Sequence, residues 1–285
     1  MRINLQQAVA KLQQGEVVAI PTETVYGLAA DARNENALRQ IYAIKQRPAN
    51  NPLIVHIASA EQVTEWAAEF SALAQKLAHA FWPGPLTLVL PAKAEVSNIV
   101  RAGEPTVALR VPAHPLAQQV LQQSGLGLAA PSANKYTQLS PTCAEHVEAG
   151  LGEDVAVLDG GACEVGIEST IVAVHGDDWQ LLRFGMISEA EIAQVVGKPA
   201  LSRVQHTPKA PGQHLLHYAP KTPTLTFDSR ASLIDYANNH ANCVALLIGV
   251  GELPVCAHIA LENQAAVAAE HLYQALHQLD KLKGA

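Results

Sequence analysis

Lys45 and Arg47 place two cations two residues apart, with Pro48 directly after them. Pro21-Thr22-Glu23-Thr24-Val25-Tyr26-Gly27-Leu28 gathers two hydroxyls, a carboxylate and a phenol into one short run. Asn51 and His56 flank an apolar stretch, and Ala130-Pro131-Ser132-Ala133-Asn134 and Ser140-Pro141-Thr142 add small hydroxyls and an amide. Gly166-Ile167-Glu168-Ser169-Thr170 opens another apolar run, and Arg183 stands near the end of the next. Hydroxyls, amides and a few well-placed cations can hold an anionic ligand without any broad basic surface. Each segment alone has an ordinary explanation. Thr, Ser, Asn and Pro are turn residues, and Lys-x-Arg commonly ends a solvated helix.

Other patterns lead elsewhere. Ser132-Ala-Asn-Lys135 matches the SxxK of serine acyl-transfer enzymes, in which the lysine activates the serine, but the companion SDN and KTG motifs are absent. Gly125-Leu-Gly127-Leu-Ala-Ala130 matches GxGxxA, yet it follows a helical pattern and enters a strand, the reverse of a dinucleotide fingerprint. His214-Leu-Leu-His217 offers half a metal site without further ligands and reads as loop. No Walker A sequence is present, so a nucleotide would be held in another way.

Those polar segments need a scaffold. The 285 residues are 49% hydrophobic and 16% charged, enough for a full domain and a smaller one, while 5% aromatic content leaves the core to Ala, Val, Leu and Ile. A net charge of −7 argues against a surface that grips nucleic acid throughout. Cys143, Cys163, Cys243 and Cys256 are scattered, as expected of reduced thiols. No leader-like apolar segment opens the chain and no run approaches the roughly 18 apolar residues of a membrane span, so a soluble, cytoplasmic protein is expected, without a membrane partner.

Leu5, Ala8, Val9 and Leu12 predict a helix ended by Gly15, and Val17–Ile20 a buried strand stopped by Pro21. Leu38, Ile41 and Tyr42 predict a helix ending near Gln46. Strands are expected at Leu53–Ile57, Leu86–Leu90, Val107–Val111, Leu126–Ala130, Val155–Leu158 and Thr170–Val174. Ser59/Gln62 and Ser188/Glu191 have capping-box spacing. The interleaving lacks a strict βαβ rhythm, which predicts an α/β (α+β) fold with a twisted mixed sheet. After Gly197 the chain becomes proline-rich to Pro223, a linker or functional loop. Beyond it a strand at Thr224–Phe227, a helix from Ser229 to Asn239, a strand at Cys243–Ile248 and a long helix from Gln264 predict a small α/β domain.

Taken in order, PTETVYGL at 21–28, KxRP at 45–48, NPLIVHI at 51–57, WPGPLTLVL at 82–90, VALRVPAHP at 107–115, APSAN at 130–134, SPT at 140–142 and GIESTIV at 166–172 resemble the YrdC-like family of threonylcarbamoyl-adenylate synthases. The likeness covers roughly residues 5–200. Pro211-Gly212 and His217-Tyr218-Ala219-Pro220 resemble the PG…HYAP connector of the longer, two-domain form. The resemblance implies a YrdC-like catalytic domain at 1–201, a Pro-rich linker or lid at 202–223 and a small Rossmann-like α/β domain at 224–285. That last domain is expected to be incomplete, because the family usually continues through another strand and helix. A second departure is Phe184 after Arg183, where the family usually has Pro.

The family reaction joins L-threonine, bicarbonate and ATP into threonylcarbamoyl-adenylate and pyrophosphate, a nucleotidyl transfer that feeds the machinery placing threonylcarbamoyl on tRNA adenosine. The resemblance implies Lys45, Arg47 and Arg183 as catalytic triphosphate clamps, with Asn51, Thr106, Ser132, Asn134, Ser140, His217 and Tyr218 around the nucleotide. It implies Thr22, Thr24, Tyr26, His56, Arg110, Ala130 and Ser169 around threonine, Arg110 facing the carboxylate. Mg²⁺ would arrive with ATP, held by triphosphate and water rather than by a protein cage. Glu23 acts either as a base or as an orienter of its threonines. The rival reading is a non-catalytic RNA-binding member of the same fold, or weak RNA contact beside catalysis.

Overall fold

The computed structural model describes residues 1–201, 207–212, 217–240, 242–249, 251–253 and 255–282. Strands β1 (Arg2–Ile3), β2 (Val18–Ile20), β3 (Gly27–Asp31), β4 (Ile54–His56), β5 (Leu86–Pro91), β6 (Thr106–Arg110), β7 (Leu128–Ala129), β8 (Ala156–Leu158), β9 (Thr170–His175) and β10 (Asp178–Arg183) form one sheet. Its order is β1-β8-β2-β3-β7-β4-β6-β5-β9-β10, with parallel and antiparallel pairs mixed. Helices α1 (Leu5–Gln13), α2 (Glu35–Lys45), α3 (Ala72–Phe81), α4 (Asn98–Arg101), α5 (Pro115–Ser124), α6 (Ala144–Leu151) and α7 (Glu189–Val196) accompany it.

Period-two alternation sorts the strand residues onto two faces. Ala19, Leu28 and Ala30 join the larger core beneath α2 and α3, while Val18, Ile20 and Ala29 pack with Ala8 and Leu12 of α1 and Val120 and Leu121 of α5. Small aliphatic side chains suffice because helices cover both faces.

Local chemistry sets the helix ends. The Ser188/Glu191 capping box forms as the spacing predicts. Ser59 makes no side-chain cap; Gln62 instead accepts from the Ala58 amide at 2.8 Å, and a 3₁₀ turn spans Ala60–Glu65. The GxGxxA segment is a helix exit: Gly125 (φ +68°) caps α5, and Gly127 lets Trp66 approach so closely that a Cβ would lie 2.3 Å from its ring. The strand after it begins at Leu128 rather than Leu126.

The C-terminal region holds α8 (Arg230–Asn239), β11 (Val244–Ile248), β12 (Ala257–Leu261) and α9 (Ala265–Leu282). The expected strand at Thr224–Phe227 does not form. Its alternation is suitable, but β11 pairs with β12 alone among the described residues, so no ladder receives it. The sequence pattern does not disclose β12. Among the described residues no helix is long and apolar enough to cross a membrane. His214 lies outside the described residues.

α9 docks on the large domain. The ring of His277 stacks on His146 at 3.8 Å and its Nε2 lies 3.0 Å from the Ser140 carbonyl. Burial, with His277 and Lys281 nearby and Glu145 opposing, pushes His146 down to about 4. Burial likewise lowers His277, with Lys281 and Lys221 adding and the Ser140 carbonyl and Asp280 opposing. The unfolded chain accepts these protons near pH 6.5 and the fold does not, so stability held above that value is lost as pH falls towards 4. The urea midpoint should drop across this window, and His146→Gln should flatten the slope. An equally steep slope in the variant would acquit the histidine stack.

Candidate active site

Thr22 organises the loop leaving β2. Its hydroxyl donates to the Val25 carbonyl at 2.6 Å and accepts the amides of Thr24 and Val25, each at 3.2 Å. The loop therefore doubles back and leaves the Thr24 hydroxyl 2.8 Å from Arg110 Nη1. Arg110 ends β6 and is in register with His56, which ends β4. Glu23 Oε1 sits 2.6 Å from Arg110 Nη2, the two side chains being only 5% and 4% exposed. Burial raises the Glu23 carboxyl, but the Arg110 charge and hydrogen bond outweigh it and hold the group below its usual range. His56 is pushed down to about 3 by burial and by Arg110, so its imidazole is neutral.

A second group of polar side chains gathers at the start of β9 and the end of β10. Arg183 donates Nε and Nη2 to the Ser169 carbonyl at 3.0 and 2.9 Å, and Nη2 to the Ser169 hydroxyl at 3.0 Å. Its Nη1 reaches the Pro211 carbonyl at 3.2 Å and the Tyr218 phenol oxygen at 3.0 Å, so the linker closes onto it. Gly185 lets this turn cross Thr170, since a Cβ would lie 2.3 Å from the Thr170 amide nitrogen. Phe184 points away at 80% exposure, so the turn does not need proline there.

Thr22, Thr24, His56 and Arg110 of the first group and Ser169, Arg183, Pro211 and Tyr218 of the second line one pocket, together with Arg47, Ile54, Ala130, Pro131, Ser132, Glu168 and His217. Thus eleven of the residues implied by the sequence resemblance line it: Thr22, Thr24, Arg47, His56, Arg110, Ala130, Ser132, Ser169, Arg183, His217 and Tyr218. Arg47 Nη2 donates to the Pro52 carbonyl at 3.0 Å, while its buried Nε has no hydrogen-bond partner among the described residues.

Six others stand outside the lining. Lys45 is 1% exposed and donates to the carbonyls of Ser132 and of Asn134, the latter at 2.6 Å, so its ammonium braces the APSAN loop from beneath. Burial, with Arg47 nearby, drives that ammonium well below its usual value. The Tyr26 hydroxyl donates to the Gly161 carbonyl at 2.8 Å and accepts the Gly160 amide. Asn51 donates to the Tyr136 hydroxyl, Asn134 to the carbonyls of Lys135 and Gln138, and Ser140 to Glu168. Thr106 lies in the β5–β6 ladder opposite Pro91. Lys135, the lysine of SxxK, is not in the lining, although Ser132 is.

Glu168 also lines the pocket and was not among the residues implied by the sequence resemblance. Its signal is a carboxylate directly before Ser169, indistinct when each residue is weighed singly. Its two oxygens accept the hydroxyls of Ser140 and Tyr273, the latter at 2.6 Å.

Residues 10–185 match the family model of Sua5, YciO and YrdC proteins, described as "Telomere recombination". The chain belongs to this family. Residues 187–285 match the threonylcarbamoyl-AMP synthase C-terminal domain. The chain is 46% identical over 223 residues to a threonylcarbamoyl-AMP synthase of Bacillus subtilis, covering 76% of this chain and 64% of that protein. It is 44% identical over 223 residues to that of Pyrococcus abyssi, covering 76% and 66%. The chain thus spans a little under two thirds of these relatives' length. The crystal structure of P. abyssi Sua5 complexed with L-threonine matches with TM-score 0.90 at 36% identity, over 99% of this chain and 89% of that one.

The Glu23–Arg110 pair generates a stability prediction. Glu23→Gln leaves a buried guanidinium without its counter-charge and should cost about 3–5 kcal/mol. Urea unfolding measures this, and a loss below about 1 kcal/mol would mean that water or other groups compensate Arg110.

Proposed function

We propose that the chain is a nucleotidyltransferase that makes threonylcarbamoyl-adenylate from L-threonine, bicarbonate and ATP, with release of pyrophosphate. The observation that carries this reading is a single pocket joining a charge-compensated Arg110 to Arg47 and Arg183. Family membership and the threonine complex of the P. abyssi relative support the choice of substrates.

In this reading the threonine amine attacks bicarbonate carbon, water leaves, and a carbamate results. A carbamate oxygen then attacks the α-phosphorus and pyrophosphate departs. Arg110, fixed by Glu23 and Thr24, receives the threonine carboxylate; neutral His56, Ala130 and Ser169 complete that side. Glu23 serves as the counter-charge that orients Arg110. Arg47 and Arg183 carry negative charge developing on the triphosphate, and their value is greatest in a pocket that excludes water. Holding both substrates together removes the entropy of their encounter.

Lys45 contributes by placing Ser132 and Asn134, because an ammonium occupied by two carbonyls has little left for phosphate. Asn51, Thr106, Asn134, Ser140 and Tyr26 act in the same indirect way, as supports of loops. Mg²⁺ would enter with the triphosphate. The Glu168 carboxylate in the lining is held by two hydroxyls and Glu23 by the lining residue Arg110, which suits a metal borne by phosphate and water. His217 and Tyr218 would then cover the nucleotide as a lid, with Arg183 exchanging Tyr218 for phosphate as ATP enters. The product would pass to the machinery that modifies tRNA adenosine, in the cytoplasm, where the four free cysteines stay reduced.

Pyrophosphate release from ATP should require both threonine and bicarbonate; release indifferent to either would reject the reaction. Arg47→Ala should lower the rate about 10²–10³-fold, the scale of removing one transition-state donor. A fall of less than about threefold would place Arg47 away from the reacting phosphates.

A further inference from the structure

Glu168 lines the pocket together with three arginines, Arg47, Arg110 and Arg183. Arg110 has Glu23 as its counter-charge, and Glu168 forms no ion pair with any of the three among the described residues. Two hydroxyls hold the Glu168 carboxylate instead, one from Ser140 in its own domain and one from Tyr273 on α9.

The placement of α9 makes this more than a chance contact. Tyr273, His277 and Asp280 follow one another at spacings of four and three, on one helix face. His277 meets the Ser140 carbonyl at 3.0 Å, and the Asp280 carboxylate accepts the amides of Lys221 and Thr222 at 2.9 and 3.0 Å. Gly166, two residues before Glu168, has φ +71°, and a Cβ there would lie 2.1 Å from the Glu270 carbonyl. The loop carrying Glu168 therefore lies directly against the α9 backbone. The next residue, Ser169, holds Arg183 through its carbonyl and hydroxyl.

We infer that Tyr273 is a positioning residue of the pocket: its hydroxyl keeps the Glu168 carboxylate turned away from Arg47 and Arg183, so that both guanidinium groups stay available to the triphosphate. The inference rests on the nucleotide-binding part of the proposed function. Without that hydroxyl, a buried carboxylate oxygen loses a donor, and the nearby cations are the strongest replacements. Glu168 would then compete with the γ- and β-phosphates for the arginines. The small C-terminal domain thereby contributes to a site whose lining belongs to the large domain and the linker.

The test measures ATP and L-threonine affinity by calorimetry on the full chain for wild type, Tyr273→Phe, Glu168→Gln and the double variant. Tyr273→Phe keeps its ring in the cluster with Val25 and Leu139, and its thermal midpoint checks that the fold persists. ATP affinity should fall about tenfold in Tyr273→Phe, the scale of one hydrogen bond to a charged group, with threonine affinity changed less than about twofold. Glu168→Gln in the same chain should restore ATP affinity to within about threefold of wild type, because an amide cannot neutralise an arginine. A merely structural role would weaken both ligands together and show no rescue, and either result overturns the inference. Should Tyr273→Phe fail to fold, Glu168→Gln alone decides: ATP binding within about threefold of wild type would support it, since the carboxylate is already held off the arginines, and binding changed about tenfold in either direction would overturn it. Wild type that binds ATP without threonine-dependent pyrophosphate release would reject the reaction while leaving the positioning role measurable; wild type that binds no ATP would reject both.

Discussion

A guanidinium and a carboxylate shut away from water at the ends of neighbouring segments set the terms for the rest of this pocket. Arg110 and Glu23 stand 2.6 Å apart at 4% and 5% side-chain exposure. Neither charge could be buried alone, since the cost of desolvating an ion is several kcal/mol and only a close partner offsets it. The loop after β2 must therefore fold back far enough to bring Glu23 to the end of β6. Thr22 makes that possible by taking up the amides that the reversal exposes. Thr24 then meets Arg110, and His56, beside the same arginine, stays neutral.

The two cations of the KxR motif show how one backbone feature divides roles. Gln46, between them, has φ +54° and ends α2 in the left-handed region. That turn sends Lys45 beneath the APSAN loop and Arg47 into the pocket. In a continuing helix, residues two apart do not face each other. Here the turn keeps the cations close enough for Arg47 to help lower the Lys45 ammonium. The lysine satisfies carbonyls that would otherwise be buried without donors, and the arginine keeps a buried Nε that no described residue engages.

The small domain is more than an appendage in physical terms. α9 buries Ala268, Ala275 and Leu279, while Tyr273, His277 and Asp280 reach the large domain and the end of the linker. One helix thus touches the loop entering β9, the loop before α6 and residues 221–222. Interfaces built on few polar contacts and a close glycine approach depend on register, and a small slip along the helix would break all three together.

Sequence alone determined much of this protein. Short apolar runs dictated most strands, the Ser188/Glu191 pair its capping box, and the helix-then-strand order around Gly125 ruled out a dinucleotide fingerprint. The family resemblance carried by the ordered motifs implied eleven residues that line one pocket in the fold. Only tertiary structure decided which polar residues face the pocket and which support it. Lys45, Tyr26 and Asn134 resemble ligand groups in composition, yet each is consumed by backbone carbonyls or amides that become neighbours only after folding. Thr224–Phe227 had the pattern of a strand and lacked a partner among the described residues, because a ladder is a property of two segments. Glu168 acquired its importance from Tyr273, 105 residues away in sequence, and no local pattern encodes a contact at that distance.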